Sequence, residues 1–459
     1  MPHLSVLQAA LDTPQAPALF FEGRAWTFSQ LAALVTPFVS SLGSYSRVAL
    51  RATNSPETVA VLLALMELQL PLIPLHPRLT DTEVARIVQD AAPSVVLDDT
   101  ALVSLTPQPQ LPTDRDSKAP LAILYTSGTT GMPKGAKLLS RAFLASAVAS
   151  AANLGWRDND RWLLCLPLCH IGGLSVLTRS LLARRPVVLV PRFDAGHVLD
   201  TIVRANATLL SVVPTMLKAL LDADKDNVLS RLRAVLVGGA AMSPALLDAC
   251  RRQRVPALTT YGLTEACSQV TSQSPSDTAP AGSGRSLQGV ELRIVGLDGA
   301  DSPRGDVGNI LLRGPMLMDG YWKQPPLHGA WFDTGDLGSL DPAGNLHVAS
   351  RRVDLVVTGG ENVYPLEVEQ TLEGCVGVRR ALVFGVPDDT WGQLVAAAIV
   401  VDAECNEGAL FDELRSKLAS HKRPRLVCFV NELPLLPSGK LARHNASARF
   451  AVRPWEVNA

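Results

Sequence analysis

The chain has 459 residues, 47% of them hydrophobic and 19% charged, and its 42 Lys+Arg against 43 Asp+Glu leave a formal charge of −1. That length exceeds what one hydrophobic core ordinarily serves and predicts two or more domains, while the balanced charge provides no field suited to nucleic acid or an anionic membrane. The first residues lack the basic and apolar regions of an export signal and no segment approaches the roughly 18 uninterrupted apolar residues of a membrane span, so a cytoplasmic protein with no integral membrane segment is expected. Seven cysteines without a CxxC pair argue against a disulfide framework or a structural zinc site. Homo-oligomerisation is left open.

The first third alternates helix and strand signals. Ser55 and Pro56 supply a cap and a first-turn proline for an apolar helix, and a short strand over 72–75 follows. Thr80 and Glu83 have the spacing of a capping box at the head of the next helix, with a strand at 94–97 after it. A polar, proline-containing connection over 107–118 leads to a strand over 121–125 that runs into a Gly/Thr-rich loop. Further strands are predicted over 161–166, 208–213 and 234–237, and helices beyond Gly173, after Pro214 and behind Ser243-Pro244. From 289 to 349 the texture changes to short β runs broken by Gly, Pro and Asp, and beyond 351 mixed α/β signals return, with a helix in LFDELRSKLASHK. The predicted fold is α/β: a large N-terminal domain over 1–350, built of layered α/β subdomains with a small β-subdomain at about 290–349, then a small α+β C-terminal domain over 351–459.

The loop YTSGTTGMPKGAK, residues 125–137, combines the hydroxyls of Thr126, Ser127, Thr129 and Thr130 with Gly128, Gly131 and the cation of Lys134. Glycines let the backbone approach phosphates, hydroxyls donate to their oxygens, and Lys134 adds a charge at the β,γ end, which together make a phosphate grip. It is not the P-loop of NTPases: Lys134 follows Pro133, and Gly135 stands where that motif needs Ser or Thr. Further along, Tyr261-Gly262-Leu263-Thr264-Glu265 offers a planar ring, a hydroxyl and a hard oxygen ligand, the groups a Mg-nucleotide site requires. The carboxylate of Asp336, in WFDTGD, is suited to accept from the two donors of a ribose diol.

YTSGTTGMPKG matches, residue for residue, the signature of the adenylate-forming superfamily of acyl-CoA synthetases, luciferases and peptide-synthetase adenylation domains. The resemblance extends over nearly the whole chain. It implies that Tyr261 stacks on adenine, Thr264 meets the α-phosphate and Glu265 holds Mg²⁺. It further implies that Gly239 and Ala240 line the adenine and acyl groups, that Asp336 and Arg351 hold the ribose, and that Lys440, in PSGK, reaches the reacting centre. A lysine there stabilises charge building among the acid oxygen, the α-phosphorus and the departing pyrophosphate. The C-terminal domain of such enzymes is mobile and turns a glycine loop, here Gly359, Gly360 and Glu361, toward the site as the thiol tunnel. This chain departs at Val353, which stands at the position of the usual hinge Asp or Lys.

The resemblance thus implies an enzyme using ATP, Mg²⁺ and CoA as co-substrate, with no protein nucleophile. Within the superfamily, TYGLTEACSQV and TGGENVYP are most similar to the o-succinylbenzoate–CoA ligases of menaquinone biosynthesis. The acid pocket is expected around His170, Gly173, Ser211, Thr215, Ser268 and Gln269, with Gly172 and Gly173 leaving room for a ring. His170 is read either as a substrate-binding or gating group or as a satisfied core histidine. Ser211 and Thr215 are read either as pocket groups or as caps of the following helix. No arginine is singled out for a second carboxylate. Other aryl- or medium-chain acyl-CoA synthetases are the alternative within the class, and a non-catalytic nucleotide-binding protein the alternative outside it.

Overall fold

The computed structural model describes residues 4–51, 53–99, 102, 120–127, 133–242, 244–277, 281–296, 298–350, 355–402, 405–434, 443 and 446–455. Gly128, Thr129, Thr130, Gly131, Ser243, Arg351, Val353 and Lys440 lie outside them. The contacts divide the chain into two compact units. The first comprises Met1–Pro77, Ala91–Tyr125 and Gly135–Ala349, and the second Arg78–Asp90, Thr126–Lys134 and Ser350–Ala459.

Two sheets come first along the chain. Their leading strands are β1 (Pro17–Phe21), β2 (Arg24–Thr27), β3 (Val48–Arg51), β4 (Leu72–Leu75), β5 (Val95–Asp98), β6 (Ala122–Ser127) and β7 (Pro133–Leu138). Next are β8 (Trp162–Leu164), β9 (Val187–Leu189), β10 (Leu209–Val212), β11 (Ala234–Val237), β12 (Ala257–Leu263), β13 (Ser268–Ser272) and β14 (Arg285–Ser286). One sheet has the order β5-β3-β4-β6-β7, the other β14-β13-β12-β11-β10-β8-β9-β1-β2. The strands from β1 through β9, β8, β10 and β11 to β12 run parallel, and β13 and β14 continue antiparallel. The central segments LIPL, LLSV and AVLV are buried at every position, as expected of parallel strands covered on both faces.

The helix Pro56–Glu67 is buried from Thr58 through Met66, capped by the Ser55 side chain accepting from the Thr58 N–H. Its all-round apolar sequence and first-turn proline make it a core helix rather than a surface one. One apolar core joins it to Phe28, Phe143 and Trp162, so the two α/β layers share an interior. Asp160 ties three strand ends of the larger sheet together: it takes two hydrogen bonds from Arg233, at 2.7 and 2.6 Å, and one each from Thr208 and the Arg157 N–H. Burial alone would push this carboxyl up, but those contacts outweigh it and hold the group below the usual range.

The β texture read over 289–349 is a separate four-stranded sheet, β15 (Glu291–Val295), β16 (Gly308–Arg313), β17 (Phe332–Leu340) and β18 (Leu346–Ser350), in that order. It has its own small core around Ile294, Ile310, Leu312 and Leu346.

In the second unit, β19 (Val356–Thr358), β20 (Glu361–Val363), β21 (Val378–Asp388), β22 (Gly392–Val401), β23 (Leu426–Phe429) and β24 (Arg453–Pro454) make a mixed sheet dominated by the long β21–β22 hairpin. The helix predicted in LFDELRSKLASHK spans Glu407–Lys417 instead. Asn406 caps it four residues before Leu410, where the predicted string begins, and the chain leaves helix before Leu418. Thr80 and Glu83 form the predicted capping box, with Glu83 Oε2 accepting from the Thr80 N–H at 2.9 Å and Thr80 Oγ1 accepting from the Glu83 N–H at 3.3 Å. The other Glu83 oxygen accepts from Lys422 Nζ at 2.8 Å, and the same ammonium reaches Glu367 at 2.7 Å. All three side chains are buried.

Candidate active site

The hairpin of β12 and β13 carries the YGLTE motif at its turn. Pairing runs Tyr261 to Thr271, slips by one residue, and resumes as Gly262 to Gln269 and Leu263 to Ser268. A Cβ on Gly262 would lie 1.9 Å from the Ser268 carbonyl oxygen, so the close approach at this slip admits only glycine. Thr264–Ala266 then form a single 3₁₀ turn, closed by the Cys267 N–H donating to the Thr264 carbonyl at 3.0 Å.

Tyr261 is buried, with its ring in the small core beneath the four-stranded sheet and its hydroxyl donating to Asp336 Oδ2 at 2.7 Å. The expected adenine-side and ribose-side residues are therefore in direct contact. Asp336 stands on β17 where the strand bulges: Thr334 Oγ1 accepts from the Asp336 N–H at 3.1 Å and donates to the Ile310 carbonyl at 2.9 Å. That clamp fixes which way the carboxylate leaves the strand.

Glu265 is held by a residue the sequence reading did not single out. Tyr321 donates its hydroxyl to Glu265 Oε1 at 3.0 Å, and the Met318 N–H donates to the Glu265 carbonyl at 2.8 Å. The segment carrying Tyr321 lies along β7, with the Lys137 N–H donating to the Gly320 carbonyl and the Trp322 N–H to the Gly135 carbonyl. No local signal marks Tyr321, since its partner is 56 positions away.

On the acyl side, the helix expected beyond Gly173 begins at Ile171, with His170 at its N-cap. Glycine's poor helix propensity places the start too late in a sequence reading. Gly173 is needed inside the first turn because a Cβ there would sit 2.3 Å from the Pro167 carbonyl oxygen. The space expected to admit a substrate ring at Gly173 is filled by that backbone. His170 is exposed, which rules out the core-histidine reading. Ser211 is buried in β10 and accepts from Trp162 Nε1 at 3.0 Å rather than capping a helix; Val213 is the N-cap, with no side-chain bond. Thr215 sits half-buried in the first turn behind it. Gly239 adopts φ +83° in the exposed loop after β11, with Ala240 half-buried beside it.

Ser268 meets an unexpected group. Arg179, on the helix Ile171–Ala183, is 3% exposed, and its Nη2 donates to Ser268 Oγ at 3.3 Å. Ser175 donates to the same oxygen at 3.3 Å. The guanidinium lies 5.7 Å from the Trp162 ring, its Nε has no hydrogen-bond partner, and among the described residues no carboxylate pairs with it. Burial draws Arg179 down to about 10. Gln269 is also buried, with Nε2 donating to Thr260 at 3.1 Å and Oε1 unsatisfied. Arg179 is thus a buried cation with an unsatisfied Nε–H donor beside the Ser268 hydroxyl, an arrangement to which an anionic group could supply the missing acceptor.

In the second unit, Thr126 Oγ1 donates to the Lys134 carbonyl at 3.4 Å across the base of the phosphate loop, and Lys134 is half-buried. Gly359 and Gly360, at φ +59° and +83°, form the two-residue turn between β19 and β20. The next residue, Glu361, pairs with Arg78 at 2.6 Å, and Trp391 packs against Gly359, its carbonyl accepting from the Gly359 N–H at 2.9 Å.

Comparison with known proteins gives the class. Residues 6–322 match the AMP-binding enzyme family and residues 367–440 the AMP-binding enzyme C-terminal domain, so the chain belongs to the AMP-binding enzymes. It is 35% identical to the 2-succinylbenzoate–CoA ligase of Enterococcus faecalis over 463 aligned positions, covering 94% of this chain and 95% of that one. It is 36% identical to the enzyme of the same name from Bacillus velezensis, covering 96% of each. Among solved structures it resembles a double mutant of o-succinylbenzoate CoA synthetase (MenE) from Bacillus subtilis bound with its product analogue OSB-NCoA, at a TM-score of 0.92, 33% identity and coverage of 98% and 99%. No described helix is long and apolar enough to cross a membrane.

Proposed function

We propose that the protein is a cytoplasmic, ATP-dependent carboxylic acid–CoA ligase that converts o-succinylbenzoate, ATP and CoA to o-succinylbenzoyl-CoA, AMP and pyrophosphate in menaquinone biosynthesis. The observation that carries the acid assignment is Arg179, a buried guanidinium with no carboxylate partner among the described residues, bonded to Ser268 beside the YGLTE turn. O-succinylbenzoate has two carboxylates. One reacts, and the other supplies the missing counter-charge, with the Ser268 hydroxyl as a further donor beside it. The names of the full-length relatives support the same substrate.

In the first half-reaction a carboxylate oxygen of the acid attacks the α-phosphorus of ATP, and the bond to the bridging oxygen of pyrophosphate breaks. Thr126, Ser127, Gly128, Thr129, Thr130, Gly131 and Lys134 grip the β,γ-phosphates, Thr264 meets the α-phosphate, and Gly239 and Ala240 line the base. Asp336 and Arg351 hold the ribose, and the Tyr261 hydroxyl orients the Asp336 carboxylate. Glu265 fits a Mg²⁺ ligand: it is a hard oxygen donor oriented by Tyr321. When bound, the ion neutralises phosphate charge. Lys440 stabilises the charge at the reacting centre.

In the second half-reaction the CoA thiol, losing its proton, attacks the acyl carbon and AMP departs with the electron pair of the acyl–oxygen bond. The domain of residues 351–459 is the mobile element that delivers Lys440 first and then Gly359, Gly360 and Glu361, which line the thiol's path.

The test is pyrophosphate release and thioester formation across a panel of acids that includes o-succinylbenzoate, benzoates and medium-chain fatty acids. O-succinylbenzoate is expected to lead the panel. Turnover of only the other acids would overturn the substrate, and no thioester with any acid would overturn the ligase. Lys440→Ala is expected to slow adenylate formation on the order of 10²–10³-fold while thioester formation from supplied acyl-AMP falls far less.

A further inference from the structure

His76, Cys169 and His170 bring their donor atoms within 4.8 Å of one another. His76 immediately follows β4, in the segment leading away from the strand's C-terminal end, and the other two residues lie in the turn that opens the helix Ile171–Ala183. The two imidazole rings have centroids 5.3 Å apart and are tilted by 38°. His170 is exposed and the other two are half-buried, so the cluster is reachable from solvent.

The turn bearing Cys169 and His170 is held from several sides. Asn54, beyond the end of β3, donates to the carbonyls of Leu166 and Val190 at 3.0 and 3.3 Å and accepts from the Leu168 N–H at 3.0 Å. The His170 N–H donates to the Pro167 carbonyl at 3.1 Å, the carbonyl that leaves Gly173 no room for a Cβ. Since β3 and β4 are parallel neighbours, Asn54 and His76 leave the same end of one sheet. The turn that carries Cys169 and His170 thus stands on an anchored frame beside His76, with the three donor atoms within 4.8 Å of one another.

We propose that His76, Cys169 and His170 form a binding site for a borderline-soft divalent cation of the zinc type, distinct from the oxygen-ligated Mg²⁺ of the nucleotide. Two imidazoles and a thiolate select Zn²⁺ over Mg²⁺, which prefers oxygen and keeps its waters. Binding needs neutral imidazoles and releases the Cys169 thiol proton to solvent, and a water completes four-coordination. Because His170 begins the helix that carries Arg179, cation binding restrains the ring at the head of the acyl-side helix. The ion acts as an inhibitor of acid activation there.

Cobalt substitution gives a readout independent of turnover. Titration of the full-length protein with Co²⁺ is expected to produce one tight site with a thiolate-to-cobalt charge-transfer absorption. Cys169→Ala is expected to abolish that band, and His76→Asn to weaken Co²⁺ and Zn²⁺ binding by at least about 10- to 100-fold, the range known for loss of an outer-shell partner alone. The melting temperature of each apo variant, compared with wild type, separates loss of the site from loss of the fold. With Mg²⁺ saturating, added Zn²⁺ is expected to slow pyrophosphate release by wild type, reversibly with chelator, and to leave His76→Asn unaffected.

A charge-transfer band that survives in Cys169→Ala, through another of the seven free thiols, would overturn the site. So would a wild-type affinity no tighter than that of His76→Asn. The binding measurement does not depend on which acid is the substrate, so its failure and that of the ligase reading are distinguishable.

Discussion

Among the described residues two cations are buried, and they are provided for in opposite ways. Lys422, in the second unit, sits between Glu83 and Glu367, whereas Arg179, in the first, has a hydroxyl, an indole face and no carboxylate among the described residues. The consequences for charge are opposite. Burial would pull Lys422 down, but its two carboxylates overcome this and hold it above the usual lysine range, while burial of Arg179 wins and draws it down to about 10. A buried ion with its counter-charge built in serves structure; one without it carries an uncompensated burial cost, which under the proposed function the second carboxylate of the acid offsets. The two carboxylates of Lys422 are themselves unequal. Both are pushed up by burial, and its ammonium with the Thr80 bonds holds Glu83 low, whereas Glu367, more deeply buried, stays high.

The contrast predicts opposite stability effects from the same kind of substitution. Lys422→Met leaves two buried carboxylates uncompensated and is expected to cost about 3–5 kcal/mol in denaturant unfolding. With the ammonium gone, both carboxyls have folded pKa values above their unfolded ones. Their contribution is then favourable at low pH and lost as pH rises, so the deficit should shrink on acidification. A loss under 1 kcal/mol, or one that grows in acid, would break this side of the comparison.

Arg179→Met removes an uncompensated charge. Urea unfolding should show no loss of stability, while KM for o-succinylbenzoate rises about 30-fold or more, from the roughly 2 kcal/mol lower bound for truncating one partner of a buried charge pair. The pH sign is also fixed. Arg179 has its folded pKa below its unfolded one, so near pH 10 the unfolded chain binds more protons and wild-type stability carries a component that rises with pH. Arg179→Met should lack that component when the two proteins are compared at matched pH.

Two smaller effects separate the halves of the site. Ser268→Ala should raise KM for o-succinylbenzoate about fivefold, the equivalent of roughly 1 kcal/mol for one hydrogen bond, and leave KM for ATP unchanged. Tyr321→Phe should do the reverse, raising KM for MgATP by about threefold to tenfold through a less constrained Glu265. Equal effects on both substrates from either variant would merge the halves.

The same division explains what could be read from the sequence. The proposed nucleotide side is written in contiguous strings, so residue type and order single out Tyr261, Glu265 and Asp336, and the Tyr261–Asp336 bond joins two of them. Local caps were equally legible: Ser55 and the Thr80–Glu83 box make the bonds their spacing implies. What escaped depends on distance. Arg179 looks like a polar interruption of an apolar helix, and only folding brings it to Ser268, 89 positions away. Lys422 meets Glu83 across 339 positions, and Tyr321 meets Glu265 across 56. Glycine misled in one place, because Gly173 serves a close backbone approach inside a helix rather than an opening for substrate.

The role of Arg179 is tested most directly by the ratio of kcat/KM for o-succinylbenzoate to that for benzoate, measured in wild type and in Arg179→Met. If Arg179 receives the second carboxylate, the ratio should fall about 30-fold or more, through KM for the dicarboxylate, with benzoate turnover preserved. An unchanged ratio, or a parallel loss with both acids, would contradict it.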